Sequence, residues 1–535
     1  MTLLAAAAAP QEILWETVGQ GFERYSAASA FGDYDGDGWH DLLTVYSPDR
    51  FAPSGASYTV RILSGRDGGL LWTAPGTPPV VDDILAVRNA GDMDGDGSPD
   101  FAAIRVLGHP YQAWRLLEIW SPARNAQLWW AAGAIAGGFG SIFGESSAMA
   151  GDLDVNGDGR PDFVVLSPSS RQHSKVSVYD NSGALMYELP FHAFSSIAYS
   201  VAAMPDLDGD GGDDFVVGVL QPVGGGVVVV SGRTGSVIRL TGDIHVGDVL
   251  GGAVANAGDV DGDGTADYAA ASYWSSPLTN IAIFSGRTGA VLRQWNDYWT
   301  NEDLLIGDID VDLDGIPDLV VPNGGFPHAP NVHGQVRVYA GRDASVLWNY
   351  DSVSQSDYLR ATGMWSLGAQ PDSPYPVLVS IDWNWNSGRG RILAMRTNLR
   401  GAGPVVGTAG SSTGDLPQIG MRLVPGHARI TVAEAPPGAL AWLALAGADD
   451  TNSGGLTVPA ALDPLGLIGC TAYVPPFLVA PTIVGTAGAD RGYAAVDLPV
   501  PGLSPAGIPF AAQWLVLDPA TGAFATSARH EFRAP

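Results

Sequence analysis

The chain has 535 residues, a net charge of -29, 46% hydrophobic residues and one cysteine. With Lys175 the only lysine and no basic run, nucleic acid and anionic membrane surfaces are poor partners, and a lone Cys470 excludes an intrachain disulfide. The length exceeds one ordinary core, so two domains are expected, the larger one built from repeats.

The N-terminus, residues 1–10, ends in an alanine run with an Ala7-x-Ala9 cleavage pattern but lacks a basic start. It reads either as the remnant of a secretory signal or as a disordered terminus. From Asp33, the nine residues Asp33-Tyr34-Asp35-Gly36-Asp37-Gly38-Trp39-His40-Asp41 set a pattern that returns at Asp92, Asp154, Asp206, Asp259 and Asp310. Positions 1, 3, 5 and 9 offer only hard oxygen: Asp33, Asp35, Asp37 and Asp41; Asp92, Asp94, Asp96 and Asp100; Asp154, Asn156, Asp158 and Asp162; Asp206, Asp208, Asp210 and Asp214; Asp259, Asp261, Asp263 and Asp267; Asp310, Asp312, Asp314 and Asp318. Such a set suits Ca2+, up to six ions, better than the smaller Mg2+, which keeps more water. Position 6 is glycine throughout, as a turn with positive φ requires. Position 7 varies freely (Trp39, Ser98, Arg160, Gly212, Thr265, Ile316), which fits a backbone carbonyl ligand. Only Asn156 among the ligand positions is not acidic, so much of the chain's acidity is metal-site acidity. With no other charge near, carboxylates this crowded would repel one another once metal is removed.

An EF-hand is excluded, because it ends in a bidentate Glu and enters a helix. Here position 12 is Thr44 or Ala103, and the loops run into β-favouring segments such as Phe163-Val164-Val165-Leu166. Weak extracellular-type sites need roughly 0.1 to 1 mM calcium, which points to a secreted or cell-surface protein. The uncharged run from Leu128 to Gly144 contains five glycines and reads as a strand and a packed loop, so no membrane span is expected.

Position 9 recurs at spacings of 59, 62, 52, 53 and 51 residues, the period of a propeller or solenoid. Between loops lies a second repeat, a β run, a Gly-rich turn and another β run, as in Val227-Val228-Val229-Val230-Ser231-Gly232-Arg233-Thr234-Gly235-Ser236-Val237-Ile238. A strand before the loop, one after it and this hairpin make a four-stranded blade. Residues 361 to 398 repeat the pattern with an eroded loop, Ala369 to Tyr375, that should bind no metal. This seventh blade lacks its fourth strand, which Glu12 to Thr17 is expected to supply, closing the ring.

The closest copy of the repeat, from Ala198 to Gly218, and the Phe31-Gly32-Asp33 element resemble the FG-GAP repeats of integrin α-subunit propellers. The resemblance covers residues 11–399. It implies an all-β, seven-bladed β-propeller with calcium loops in six blades, set on the face opposite the usual ligand surface. After a linker at 400–414, residues 415–535 read as a small β-sandwich, with strands expected at 428–435, 439–446, 470–474, 493–500, 511–517 and 523–532.

No His-Glu-x-x-His or phosphate loop occurs. Two functions stay open: a noncatalytic extracellular binding or adhesion protein with a glycan or protein ligand, and a glycan-acting enzyme using the face opposite the calcium loops. Turns expected on that face carry Tyr111, Trp114, Tyr273, Trp274, Tyr298, Trp299, His328, Trp383 and Trp385. Flat aromatics suit sugar faces or a partner's side chains, and they equally well pack over blade ends.

Overall fold

The computed structural model describes residues 12–18, 23–48, 59–74, 83–107, 114–134, 148–167, 175–190, 197–221, 224–242, 250–272, 281–296, 305–323, 335–351, 365–371, 373–382 and 391–396, and a set of strands between 402 and 533. No α-helix occurs among them, so none is long and apolar enough to cross a membrane.

Seven antiparallel four-stranded sheets account for residues 12–396. Blade 1 comprises Glu23–Ala30, Leu42–Pro48, Thr59–Leu63 and Leu70–Thr73; blade 2, Asp83–Gly91, Asp100–Leu107, Trp114–Ser121 and Ala126–Ala134. Blade 3 comprises Met149–Leu153, Asp162–Ser167, Lys175–Tyr179 and Leu185–Pro190; blade 4, Ile197–Met204, Asp214–Gln221, Gly224–Val230 and Val237–Gly242. Blade 5 comprises Leu250–Gly258, Asp267–Ser272, Ile281–Phe284 and Val291–Trp295; blade 6, Ile306–Ile309, Asp318–Asn323, Gln335–Tyr339 and Val346–Asp351. Blade 7 takes Trp365–Gln370, Ser373–Asp382 and Arg391–Arg396 from the far end of the ring, and Glu12–Val18 pairs with its third strand. The ring closes as the sequence implies, by a ladder that runs from Glu12 opposite Arg396 to Val18 opposite Arg391.

Each blade buries its apolar residues against the next. One cluster fills each of the seven interfaces; Val176, Val178 and Leu166 of blade 3, for example, meet Phe215, Val217 and Val201 of blade 4. The second strands are buried on both faces, as in Asp267–Ser272, and read as continuous apolar runs for that reason. The fourth strands alternate between exposed and half-buried, as in Leu185–Pro190 and Val237–Gly242, because they form the rim. At the centre a cavity of about 250 Å³ is lined by first strands. The Arg88 guanidinium lies 4.4 Å over the Trp365 ring there, and its Nε donates to the Met149 carbonyl at 3.1 Å.

Beyond residue 400 the chain is again β. One seven-stranded sheet contains Ala402–Val406, Gly410–Ser411, Leu440–Gly447, Leu478–Ile483, Pro509–Asp518, Ala523–Thr526 and Arg529–Arg533; a three-stranded sheet pairs Gln418–Val424, His427–Ala433 and Ala494–Pro499. The stretch 400–414 read as a linker therefore contributes two short strands, Ala402–Val406 pairing with Arg529–Arg533 and Gly410–Ser411 with Ala523–Thr526.

Candidate metal centre

Six first-to-second-strand connections fold alike because position 1 gathers the backbone of its own loop. In the first loop, Asp33 Oδ1 accepts from Gly36 N at 2.8 Å and Asp37 N at 3.1 Å, and Oδ2 accepts from Gly38 N at 2.8 Å. Asp35 Oδ1 accepts from Asp37 N, and Asp37 Oδ1 from Trp39 N. Asp92, Asp154 and Asp206 repeat the whole set, and Asp259 and Asp310 keep the bonds from positions 5 and 6. Position 6 glycines take φ between 81° and 89°, as expected. Position 4 is also left-handed: Gly36, Gly95, Gly157, Gly209 and Gly262, but Leu313 at φ 57° in the sixth loop.

This scaffold draws the acids together. One oxygen from each of positions 1, 3 and 5 lies within 4.8 Å of the other two in loops 1, 2, 4 and 5; in loop 6 the trio is Asp310, Asp312 and Asp318. Asp154, Asn156 and Asp158 share the same internal hydrogen bonds. The residues therefore fit a hard divalent cation, and a buried oxygen of Asp162, Oδ1, accepts no hydrogen bond at all. Position 7, from Trp39 to Ile316, donates its N–H to the position 5 carboxylate in all six loops.

In loops 1 to 5 position 9 is the most buried member. Asp41, Asp100, Asp162, Asp214 and Asp267 are fully buried. Asp41 Oδ2 accepts from Tyr34 N inside the loop, and its Oδ1 accepts from Gly65 N in the turn between strands three and four. Gly232, Gly286 and Gly341 donate in the same way to Asp214, Asp267 and Asp318. Each oxygen keeps a second lone pair for a metal. Burial lifts these carboxyls above the usual range: Asp41 and Asp214 to about 6, and Asp100, Asp162 and Asp267 to about 7, with neighbouring loop acids adding to it and backbone donors opposing it. Asp318 is raised as well, by burial and then by Asp312, Asp310 and Asp314. A raised carboxyl is the mark of a general acid, but groups with no exposed surface cannot reach a substrate. In this setting a divalent ion is the natural counter-charge.

The turn glycines are the functional residues that the sequence reading missed. A Cβ on Gly65, Gly232, Gly286 or Gly341 would lie 1.8 to 1.9 Å from the carbonyl oxygen of loop position 8, namely His40, Asp213, Ala266 and Pro317. The carbonyls of the first three accept from the preceding blade: Trp15 Nε1 to Gly65 O at 2.8 Å, Tyr187 Oη to Gly232 O, and Arg239 Nη1 to Gly286 O at 2.7 Å. One backbone unit thus joins the metal loop, its hairpin and the neighbouring blade. The repeated Ser-Gly-Arg was a signal for this, read at first only as a tight turn. Pro122, without an N–H, and Asn181 replace the glycine in blades 2 and 3.

Position 8 leans on the preceding blade too. His40 N donates to Gln370 Oε1 of blade 7 at 3.1 Å, and Asp213 N to Asp154 O at 2.8 Å with Asp154 N returning to Asp213 Oδ2 at 2.8 Å. The belief that no other charge lies near the loops is corrected: Arg124 Nε stands 2.9 Å from Asp94 Oδ2, and Arg342 Nε 2.9 Å from Asp314 Oδ2. Of the aromatic face, Tyr111, Tyr273, Trp274, Tyr298, Trp299, His328, Trp383 and Trp385 lie outside the described residues, and Trp114 begins the third strand of blade 2.

Comparison with known proteins agrees with this architecture. The FG-GAP-like repeat family matches residues 154–217. Integrin alpha-4 of Xenopus laevis is 32% identical over 161 residues, 26% of this chain and 15% of that one. Integrin alpha-6 of Homo sapiens is 30% identical over 183 residues, 30% of this chain and 16% of that one. The matches thus span about a sixth of those relatives' length. Among solved structures, the Dos1 propeller overlaps 79% of this chain and 92% of its own at TM-score 0.39 and 8% identity; rhamnogalacturonan lyase YesW overlaps 72% and 75% at TM-score 0.40 and 14% identity. At those scores no function is carried across. Residues 12–396 form a β-propeller of seven blades that carries an FG-GAP-like repeat at 154–217 and is integrin-α-like over the matched part.

Proposed function

We propose that this is a secreted or cell-surface, calcium-binding propeller that acts as a noncatalytic binding or adhesion protein for an extracellular glycan or protein. The observation that carries the reading is the repetition of an acidic oxygen cluster in five blades of an integrin-α-like ring, with the same loop hydrogen bonds in a sixth. Positions 1, 3, 5 and 9 of each loop would hold the ion, with the position 7 carbonyl completing the set. The metal's contribution is structural: it cancels charge repulsion and ties the first two strands of a blade together. The region from 415 to 535, read as a β-sandwich, then serves as spacer or attachment module.

Because calcium binds the folded state, excess chelator lowers the melting temperature by about 5 °C or more. An identical melting curve with and without chelator would overturn the metal reading. The ligand is sought on a glycan array and in cell-surface extracts, with and without calcium, and any glycan hit is assayed for cleavage. Turnover that disappears on substituting an acid outside the loops would favour the glycan-acting enzyme. No binding in either screen would leave a purely structural protein.

A further inference from the structure

We propose that the arginine in the turn between strands three and four is a built-in counter-cation, which holds the metal loop of its own blade together when no ion is bound and so lowers that loop's affinity for calcium. The inference rests on the calcium reading above.

The geometry recurs around the ring. Arg124 Nε stands 2.9 Å from Asp94 Oδ2 and 3.5 Å from Asp96 Oδ2. Arg287 Nε stands 3.2 Å from Asp263 Oδ2, and its Nη2 donates to the Asp263 carbonyl at 2.8 Å. Arg342 Nε lies 2.9 Å from Asp314 Oδ2. Arg66 Nη1 is 3.9 Å from Asp37 Oδ2, and Arg233 Nη1 donates to the Asp210 carbonyl at 2.8 Å. Four of these contacts fall on Oδ2 of position 5 (Asp37, Asp96, Asp263 and Asp314), whose Oδ1 takes the N–H of position 7.

The chain supplies its own control. The five loops with four aspartates each face an arginine from this turn. In blade 3 the turn reads Asp180-Asn181-Ser182-Gly183, with no arginine, and its loop has one carboxylate fewer because Asn156 holds position 3. Blade 7 has neither the acidic loop nor the turn, since its fourth strand comes from Glu12–Val18. Cation and fourth carboxylate occur together and are missing together.

The sign of the effect follows from charge. With its position 9 carboxyl raised by burial, an empty loop of four carboxyls carries between three and four negative charges, and a loaded one a net two, so the arginine is held more strongly by the empty loop. Whatever stabilises the empty loop more than the loaded one weakens binding by the same factor. Arg66, Arg124 and Arg287 have side chains at least half exposed and are screened by solvent; Arg342 is 21% exposed against Asp314 at 4%, and has the largest effect.

The test compares the full chain with Arg342→Gln, with the triple variant R124Q/R287Q/R342Q, and with Arg342→Lys, each melted in excess chelator and in saturating calcium. Calcium is then titrated calorimetrically into stripped protein. The glutamine variants should lose more melting temperature in chelator than in calcium, and bind calcium roughly two- to fivefold more tightly at the altered loops, the range of a partly exposed ion pair. The lysine variant should restore the parent behaviour, because charge is what matters. Equal losses in both conditions, or weaker calcium binding in the glutamine variants, would overturn the inference. A parent protein that ignores both calcium and chelator removes the calcium reading itself, and the inference with it.

Discussion

Blades 6 and 7 are neighbours, share one buried cluster around Val338, Leu378 and Leu393, and make the same connection in opposite ways. Blade 6 crosses from first to second strand through Asp310 to Asp318, with Val311, Leu313 and Ile316 turned into the protein. It keeps Leu313 left-handed at a cost of about 1 to 2 kcal/mol. Blade 7 crosses tightly between Gln370 and Ser373, with no acidic loop. There the Gln370 amide accepts from His40 N and donates to Leu367 O at 2.7 Å, a neutral brace where blade 6 uses carboxylates. A blade therefore needs a satisfied turn and not an ion; under the calcium reading proposed above, the acidic loop adds stability that depends on the metal.

Three perturbations would break or sharpen that contrast. The largest acts on blade 7: truncation through residue 20 removes the strand that buries Trp15 and pairs with Arg391–Arg396, and should give insoluble protein, whereas truncation through residue 9 should stay soluble. Equal solubility would mean that the closure is dispensable. Next, Gly341→Ala in blade 6 forces a Cβ to within 1.9 Å of Pro317 O, and should cost about 3 kcal/mol in denaturant unfolding. A cost below 1 kcal/mol would show that hairpin and loop can part freely. The smallest is Gln370→Ala, which leaves His40 N without its acceptor and should cost about 1 to 2 kcal/mol, equally with and without calcium. A calcium-dependent loss there would show that blade 7 is braced through the metal loop of blade 1.

The loops, the blade count and the closing strand were legible because each rests on local chemistry: hard oxygens at fixed spacing, and one unpaired Leu-Trp strand. The glycine of Ser-Gly-Arg was not, since its constraint is a carbonyl some 20 residues away and a tryptophan from another blade. Of the C-terminal strands that were missed, Gln418–Val424 among them, two share one physical reason. Ala402–Val406 and Leu478–Ile483 contain Pro404 and Pro481, which read as breaks; both lie at the ends of their sheet's strand order, where proline is tolerated. Leu313 also defies the local rule, because a leucine in a left-handed turn is accepted only when its side chain is buried.

The closing ladder of blade 7 also sets how the ring would respond to force. Its first pair is Glu12 with Arg396, so the chain enters and leaves the propeller at the same end of one antiparallel ladder. Tension applied between those two points loads the pairs one after another, from Glu12 towards Val18, as in peeling tape, instead of shearing all of them at once. If this module carries load between a partner and the region that follows it, the seam between Glu12–Val18 and Arg391–Arg396 is the first place to open, and Trp15, tied to Gly65 of blade 1, is the catch that must release for the opening to spread.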